Sequence, residues 1–170
     1  KNYVILRLGS VYGYSSTDTM RINIMPNLFS KIASQNGTIS LFSGGKQIKS
    51  LVPLIDVVRC MKAMSENNET KKETFNLVKE SVTVKEVAEI CKKYNPKTLI
   101  KITDDETPNL GYTLSNKKLL STGFKFFYSL EESISTMIEQ WSYKLRDHDL
   151  EYKTKGKKEF IDKRGKISNY

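Results

Sequence analysis

Apolar positions recur along this chain with two spacings, and the changes between them mark its elements. Tyr3-Val4-Ile5-Leu6-Arg7-Leu8 is a near-continuous β-branched and apolar run. That pattern predicts a strand from about Tyr3 to Gly9, covered on both faces in a parallel sheet. Beyond a polar loop at Ser15 to Asp18, the residues Met25, Leu28, Phe29, Ile32 and Ala33 share one helical face. Asn23 is placed to cap that helix, Pro26 falls in its first turn where a missing N–H does little harm, and Gly37 ends it. Thr38 to Phe42 alternates as a strand does and runs into a Gly44-Gly45 turn, after which Gln47 to Leu54 predicts another strand. Asp56 stands where a cap would, ahead of Val57, Met61 and Met64.

The alternation continues in the second half. Glu73 to Val78 predicts a strand, and Thr83-Val84-Lys85-Glu86 is a capping box with Val84, Val87, Ala88 and Cys91 at helical spacing behind it. Asn95-Pro96 closes that helix, and Leu99 to Ile102 follows as a strand. A polar loop from Thr103 to Asn109 leads to Tyr112-Thr113-Leu114 and a short helix near Lys117 to Leu120. Ser129-Leu130-Glu131-Glu132 is a second capping box. It opens a helix whose stripe is Leu130, Ile134, Met137, Ile138, Trp141 and Leu145. Strands alternating with helices predict an α/β fold.

Composition narrows the class. With 170 residues, 38% of them hydrophobic and 28% charged, the chain suits one globular domain with a proper core. No apolar run approaches the roughly 18 residues a spanning helix needs, and two cysteines make no disulfide scaffold. Two thiols and no visible export signal point to the cytosol. The formal charge is +9, and residues 144–170 carry nine basic and five acidic side chains. That tail lacks aromatic interleaving or any nucleic-acid motif, so it reads as a solvated charged segment, with no nucleic-acid or membrane partner. The chain opens on Lys1 in a strand that needs neighbours on both sides, which predicts a piece of a longer protein.

Isolated motifs fail. Gly45-Lys46 lacks the other elements of a phosphate loop, because Gln47 stands where Ser or Thr is required. Gly9 and Gly13 have no third glycine and no apolar helix behind them. His148 is alone, so there is no metal set or triad. Cys60 and Cys91 read as buried thiols on helix faces. No catalytic residue is assigned.

The order of short segments is more telling. Leu6-Arg7-Leu8-Gly9-Ser10-Val11-Tyr12-Gly13 resembles the LRxxNVYGP segment of extended short-chain dehydrogenases/reductases, the NAD-dependent nucleotide-sugar epimerases and dehydratases. Asn23-Ile24-Met25-Pro26 is similar to the Asn-Leu-Met-Pro that follows there. Leu41-Phe42-Ser43-Gly44-Gly45-Lys46-Gln47-Ile48-Lys49-Ser50 is similar to that family's IYGxGxQxRD, and Asp56 to the aspartate of its HVxD. Glu73 to Leu77 resembles ETYNLG, and Gly123-Phe124 to Trp141 its closing LGWxPxxSLEEGIxxTIxW. The match runs over roughly residues 3 to 145 with its order kept.

There are departures. The glycine-rich cofactor loop and the catalytic YxxxK of that family have no counterpart in this sequence. The family's Asn is Ser10, its Arg is Lys49, its HV is Pro53-Leu54, and Pro108 to Tyr112 holds no Arg. A lysine attracts a diphosphate as a point charge, without the fork of an arginine.

The resemblance implies an α/β fold made of the C-terminal part of a Rossmann-type parallel sheet plus the small substrate-binding α/β subdomain. Residues 1–145 would form that substrate-binding part, 146–158 a charged linker, and 159–170, through Asp162-Lys163-Arg164-Gly165, the start of a cupin-like sugar-epimerase domain. It implies NAD or NADP near Leu8 and Gly9, and a nucleotide-diphosphate sugar near Ser10, Asn23, Phe42, Gln47, Lys49 and Asn76. In that arrangement Asn23 at a helix start and Lys49 meet the diphosphate, Phe42 stacks on the base, and Gln47 and Asn76 donate or accept neutral hydrogen bonds. Alone, the chain would lack the catalytic base and be inactive. Members of the family often dimerise, so a homodimer is one option for the full-length protein.

Each residue also has a plainer reading. Asn23 and Asp56 are helix caps, the preferred reading for Asp56; Phe42 is core; Lys49 is a solvated surface lysine; Asn76 ends a strand. A competing functional reading is a non-catalytic nucleotide-sugar-binding or scaffold module, motivated by Ser10, Lys49 and the missing arginine.

Overall fold

A computed structural model describes residues 2–14, 22–105 and 111–155, with side chains as far as 143. The opening run forms β1 (Ile5–Leu8), and Gly9 then carries the chain into β2 (Ser10–Tyr12). After α1 (Met25–Ser34) come β3 (Thr38–Phe42) and β4 (Ile48–Pro53), separated by a tight turn at Ser43 to Gly45. Helix α2 (Leu54–Glu66) is followed by β5 (Thr74–Leu77) and β6 (Glu80–Thr83). Helix α3 (Val84–Tyr94), β7 (Leu99–Thr103), the single turn α4 (Lys117–Leu120) and α5 (Leu130–Lys155) complete the order.

The pairing is mostly parallel and long-range. Strand β1 pairs with β5, β2 with β4, and β3 with β7, all parallel; β6 joins β4 antiparallel. Parallel neighbours require crossover helices, which α1, α2 and α3 supply. The α/β expectation is met.

Two hydrophobic cores form, and β4 serves both. Its side chains alternate in direction, so Leu51 joins Tyr12, Phe29, Ile39, Val87 and Ile134 in one core, while Val52 joins Val57, Phe75, Leu77 and Leu119 in the other. Strand β2 divides in the same way, with Tyr12 in the first core and Val11 against the second. Helices α1, α3 and α5 enclose the first core, where the predicted stripe residues Leu130, Ile134, Met137, Ile138 and Trp141 are all buried. The Tyr14 ring meets the Trp141 ring edge-on at 5.4 Å. Cys60 and Cys91 are free and buried, one in each core, as expected of structural thiols.

Strand β1 has β5 as its one partner among the described residues, with Ile5 48% and Leu8 42% exposed, in keeping with an apolar strand whose pattern asks for more cover than these residues give it. Other expectations need correction. Asn23 does not cap α1. The cap position is held by Ile24, which offers no side-chain hydrogen bond, and Asn23 is exposed in the preceding turn. The physical reason lies in Pro26, which has no N–H in the first helical turn, where a capping side chain would find its donor. Asp56 does not cap α2 either, because Pro53 holds that position and Asp56 lies buried in the first turn. Strand β6 was not anticipated, being short and polar. The charged segment after 145 keeps a helical backbone as far as Lys155, while residues 156–170, and with them the cupin-like start, lie outside the described residues. Among the described residues no helix is long and apolar enough to cross a membrane.

Both capping boxes form as their spacing predicts. The Thr83 hydroxyl accepts from the Glu86 N–H at 3.2 Å while Glu86 Oε2 accepts from the Thr83 N–H at 2.6 Å. Ser129 and Glu132 make the reciprocal pair at 3.1 and 3.2 Å. Both glutamates are held below the ordinary carboxylate range, Glu86 first by the Thr83 N–H and then by its hydroxyl, Glu132 first by the Ser129 hydroxyl and then by its N–H. A carboxyl whose pKa is lowered on folding contributes stability that is complete above its unfolded value and lost as pH falls through its folded one. Urea midpoints followed by Trp141 fluorescence are therefore expected to drop as pH falls below about 4.3. The combined Glu86→Gln and Glu132→Gln variant is expected to have a shallower acid slope, and an unchanged slope would contradict this account.

Candidate functional site

The groove with the clearest chemical character lies at the carboxyl ends of β1, β2 and β4. It encloses about 630 Å3 and is lined by Leu8, Gly9, Ser10, Val11, Tyr12, Gly13, Ile24, Asn27, Leu54 and Tyr112. In α/β sheets ligands bind in crevices outside the carboxyl ends of the strands, so its position is itself informative.

Gly9 makes the groove's floor possible. A Cβ there would lie 2.6 Å from the Ser50 carbonyl oxygen and 2.9 Å from Val78 Cγ2, so no other residue lets β1 pass so close to β4. Its N–H still donates to the Leu77 carbonyl at 3.1 Å, keeping the sheet joined across the break between β1 and β2. Next to it, Ser10 is half-buried and lines the groove together with Leu8 and Leu54.

One wall comes from α1. Asn27 is 4% exposed, and its Oδ1 accepts the Gly13 N–H at 3.0 Å, fixing the backbone that leaves β2. The opposite wall is Leu54, the first residue of α2, and it depends on Asp56. The Asp56 side chain is fully buried. Its carboxylate accepts the Phe127 N–H at 3.2 Å and the Tyr128 N–H at 3.3 Å, and it pairs with Arg59 one turn along the helix. The Arg59 guanidinium lies over the Phe127 ring at 4.1 Å. An aspartate that reads as a cap thus ties α2 to the segment leading into α5.

Among the described residues, the buried phenol of Tyr12 and the two buried thiols are held in their protonated forms. Burial pushes the Tyr12 phenol well above its ordinary value, against the downward pull of the Ser133 hydroxyl. Burial also pushes the Cys60 thiol up to about 11, with the Asp56 charge adding, and the Cys91 thiol up to about 12 against the Ser30 hydroxyl. Such groups stay protonated and unreactive at neutral pH.

Of the anticipated residues, Leu8, Gly9 and Ser10 come together in this groove. Asn23 sits exposed in the turn before Ile24, which lines it. Phe42, Gln47, Lys49 and Asn76 do not line it. Phe42 is half-buried at the end of β3, opposite Thr103, and belongs to neither core. Gln47 precedes β4 and its carbonyl accepts the Val84 N–H at 2.9 Å. Lys49 is on β4, opposite Val82. Asn76 lies within β5, and its amide donates to the Ser115 carbonyl at 3.0 Å. The sequence reading missed Asn27, Leu54 and Tyr112 as groove residues. Asn27 carried a faint signal, as the one polar residue between Pro26 and Leu28 at the start of an apolar helix.

Replacing Asp56 by Ala is expected to lower stability by about 3 kcal/mol, the scale for losing a buried charged acceptor that serves several donors. Urea unfolding with an unchanged m-value checks this; a loss near zero would show that the clasp is idle.

Comparison with known proteins bears on the fold and on the first part of the chain. Residues 1–77 match the NAD dependent epimerase/dehydratase family. A dihydroflavonol 4-reductase of Callistephus chinensis is 31% identical over 118 residues, which are 67% of this chain and 31% of that protein. The UDP-glucose 4-epimerase of Thermotoga maritima, solved with UDP-glucose, superposes with a TM-score of 0.70 at 21% identity, over 85% of this chain and 47% of that one. The Thermus thermophilus UDP-glucose 4-epimerase complexed with NAD gives 0.67 at 18%, over 82% and 46%. The dTDP-glucose 4,6-dehydratase of Bacillus anthracis with NAD gives 0.68 at 16%, over 85% and 45%. This chain spans under half the length of those solved proteins and about a third of the reductase. The likeness in structure is one of fold, and the matched segment opens with β1 and β2, which build the groove. On this match, residues 1–77 of this chain belong to the NAD dependent epimerase/dehydratase family.

Proposed function

We propose that this chain is the substrate-binding, C-terminal part of an NAD(P)-dependent nucleotide-sugar epimerase or dehydratase. In this reading residues 1–145 hold the sugar nucleotide, 146–158 link onward, and 159–170 open a cupin-like domain; the protein works in the cytoplasm. The observation that carries it is the meeting of Leu8, Gly9, Ser10 and Gly13 with α1 and α2 in one groove at the strands' carboxyl ends. The solved neighbours in this family are described as holding UDP-glucose or NAD, which supports the same ligand classes here.

The roles follow from chemistry. Leu8 and Gly9 present apolar side chain and bare backbone, suited to the flat edge of a nicotinamide, and the groove has room for one. When bound, that group supplies the hydride exchange of the reaction. Ser10 offers the sugar a hydroxyl. Asn23 and Lys49, which lie outside the groove, would approach the diphosphate where the nucleotide extends beyond it, with Lys49 acting as a point charge. Phe42 would lie on the base, Gln47 would orient the nucleotide, and Asn76 keeps its Oδ1 available beyond its bond to Ser115. The described residues hold no glycine-rich strand-to-helix turn for the dinucleotide's own phosphates, so this chain would touch only the cofactor's edge.

A second reading is a nucleotide-sugar-binding or scaffold module without catalysis. Ser10, Lys49 and the arginine-free stretch Pro108 to Tyr112 favour it.

Titration calorimetry with UDP-glucose is expected to give saturable binding to this chain, weakened roughly tenfold in Lys49→Ala, the scale of one charge-assisted contact. NAD-dependent conversion of UDP-glucose by the isolated chain is expected to be absent. Turnover would refute the division of labour, and failure to bind the nucleotide sugar would refute the reading.

A further inference from the structure

We propose that Tyr112 is a specificity-determining platform on which the apolar C–H face of the substrate's pyranose ring lies. This rests on the functional reading above and extends it to a residue to which the resemblance assigned no role.

Three observations converge. Tyr112 lines the groove beside Leu8 and Leu54, yet 69% of it is exposed, an aromatic side chain that the fold itself does not bury. Its backbone, in contrast, is fixed. The buried Ser50 hydroxyl donates to the Tyr112 carbonyl at 3.3 Å, accepts the Leu114 N–H at 3.1 Å and meets the Ser81 hydroxyl at 3.0 Å. Gly111 secures the approach from the other side. With φ at +89° and a position whose Cβ would fall 2.0 Å from the Ile48 carbonyl oxygen, it lets the segment lie directly on β4. An exposed ring on an anchored backbone loses little entropy when a ligand lands on it.

The groove's chemistry selects the kind of ligand. A pyranose has an apolar face and a rim of hydroxyls. Tyr112, Leu8 and Leu54 supply an apolar surface, and the negative face of an aromatic ring attracts polarised C–H groups. Ser10 supplies a hydroxyl at the same groove, for the sugar's rim. A nucleobase can also stack on such a ring, so the two ligands are told apart by experiment.

Calorimetric titrations of this chain with UDP-glucose and with UDP separate these cases. The unmodified chain is expected to bind UDP-glucose more tightly than UDP. Tyr112→Ala is expected to lose that difference, roughly tenfold, while its affinity for UDP and its melting temperature stay unchanged. Tyr112→Phe is expected to keep the difference, because the ring and not the hydroxyl does the stacking. Equal binding of both ligands by the unmodified chain overturns the platform, as does an unaltered preference in Tyr112→Ala. Parallel loss of UDP and UDP-glucose in Tyr112→Ala also overturns it, since the ring would then serve the base. Binding of neither ligand by the unmodified chain defeats the functional reading itself, an outcome distinct from the others.

Discussion

The buried Asp56 carboxylate ties together two parts of this molecule that are far apart in sequence. It draws the Phe127 and Tyr128 amides and the Arg59 guanidinium to one point inside the first turn of α2. That point fixes where α2 begins, and so where Leu54 stands in the groove. It also fixes the chain just before Ser129, where the second capping box launches α5. Helix α5 in turn covers the first core. A fully desolvated acceptor meeting several donors has few equally good alternatives, so one side chain sets the register between two helices distant in sequence.

The groove results from this and from the order of the strands. Parallel pairing brings the ends of β1, β2 and β4 to one edge, although β4 lies far along the chain from β1. Gly9 permits the close passage, Asn27 holds the exit from β2, and the Ser50 hydroxyl lays residues 111–114 beside β4. None of these contacts is strong alone. Together they make a cleft with rigid walls, the condition for a site that does not spend binding energy on ordering itself.

How much of this was legible depended on the range of the interactions. The two capping boxes were, because each is complete within four residues. Strand β3 matched its alternation at both ends. The burial of α5's stripe followed from spacing alone. Asn23 was misplaced as a cap because Pro26 alters which N–H groups need one, a subtlety that composition does not reveal. Asp56 was seen, but its partners lie 71 and 72 residues away, and no local rule finds them. Tyr112 was invisible as a groove residue for the same reason: its place depends on Ser50, 62 residues earlier. The resemblance to the family located β1 and β2, yet the residues it implied farther along, Phe42, Gln47, Lys49 and Asn76, fall outside the groove that those strands build.

The division of the interior into two cores has a further consequence. Cys91 lies in one and Cys60 in the other, each free and sealed from solvent. A thiol-reactive dye can reach either sulfur only when the packing around it loosens. The chain therefore carries two built-in clocks, and the rates at which they are labelled tell whether its halves come apart together or one before the other.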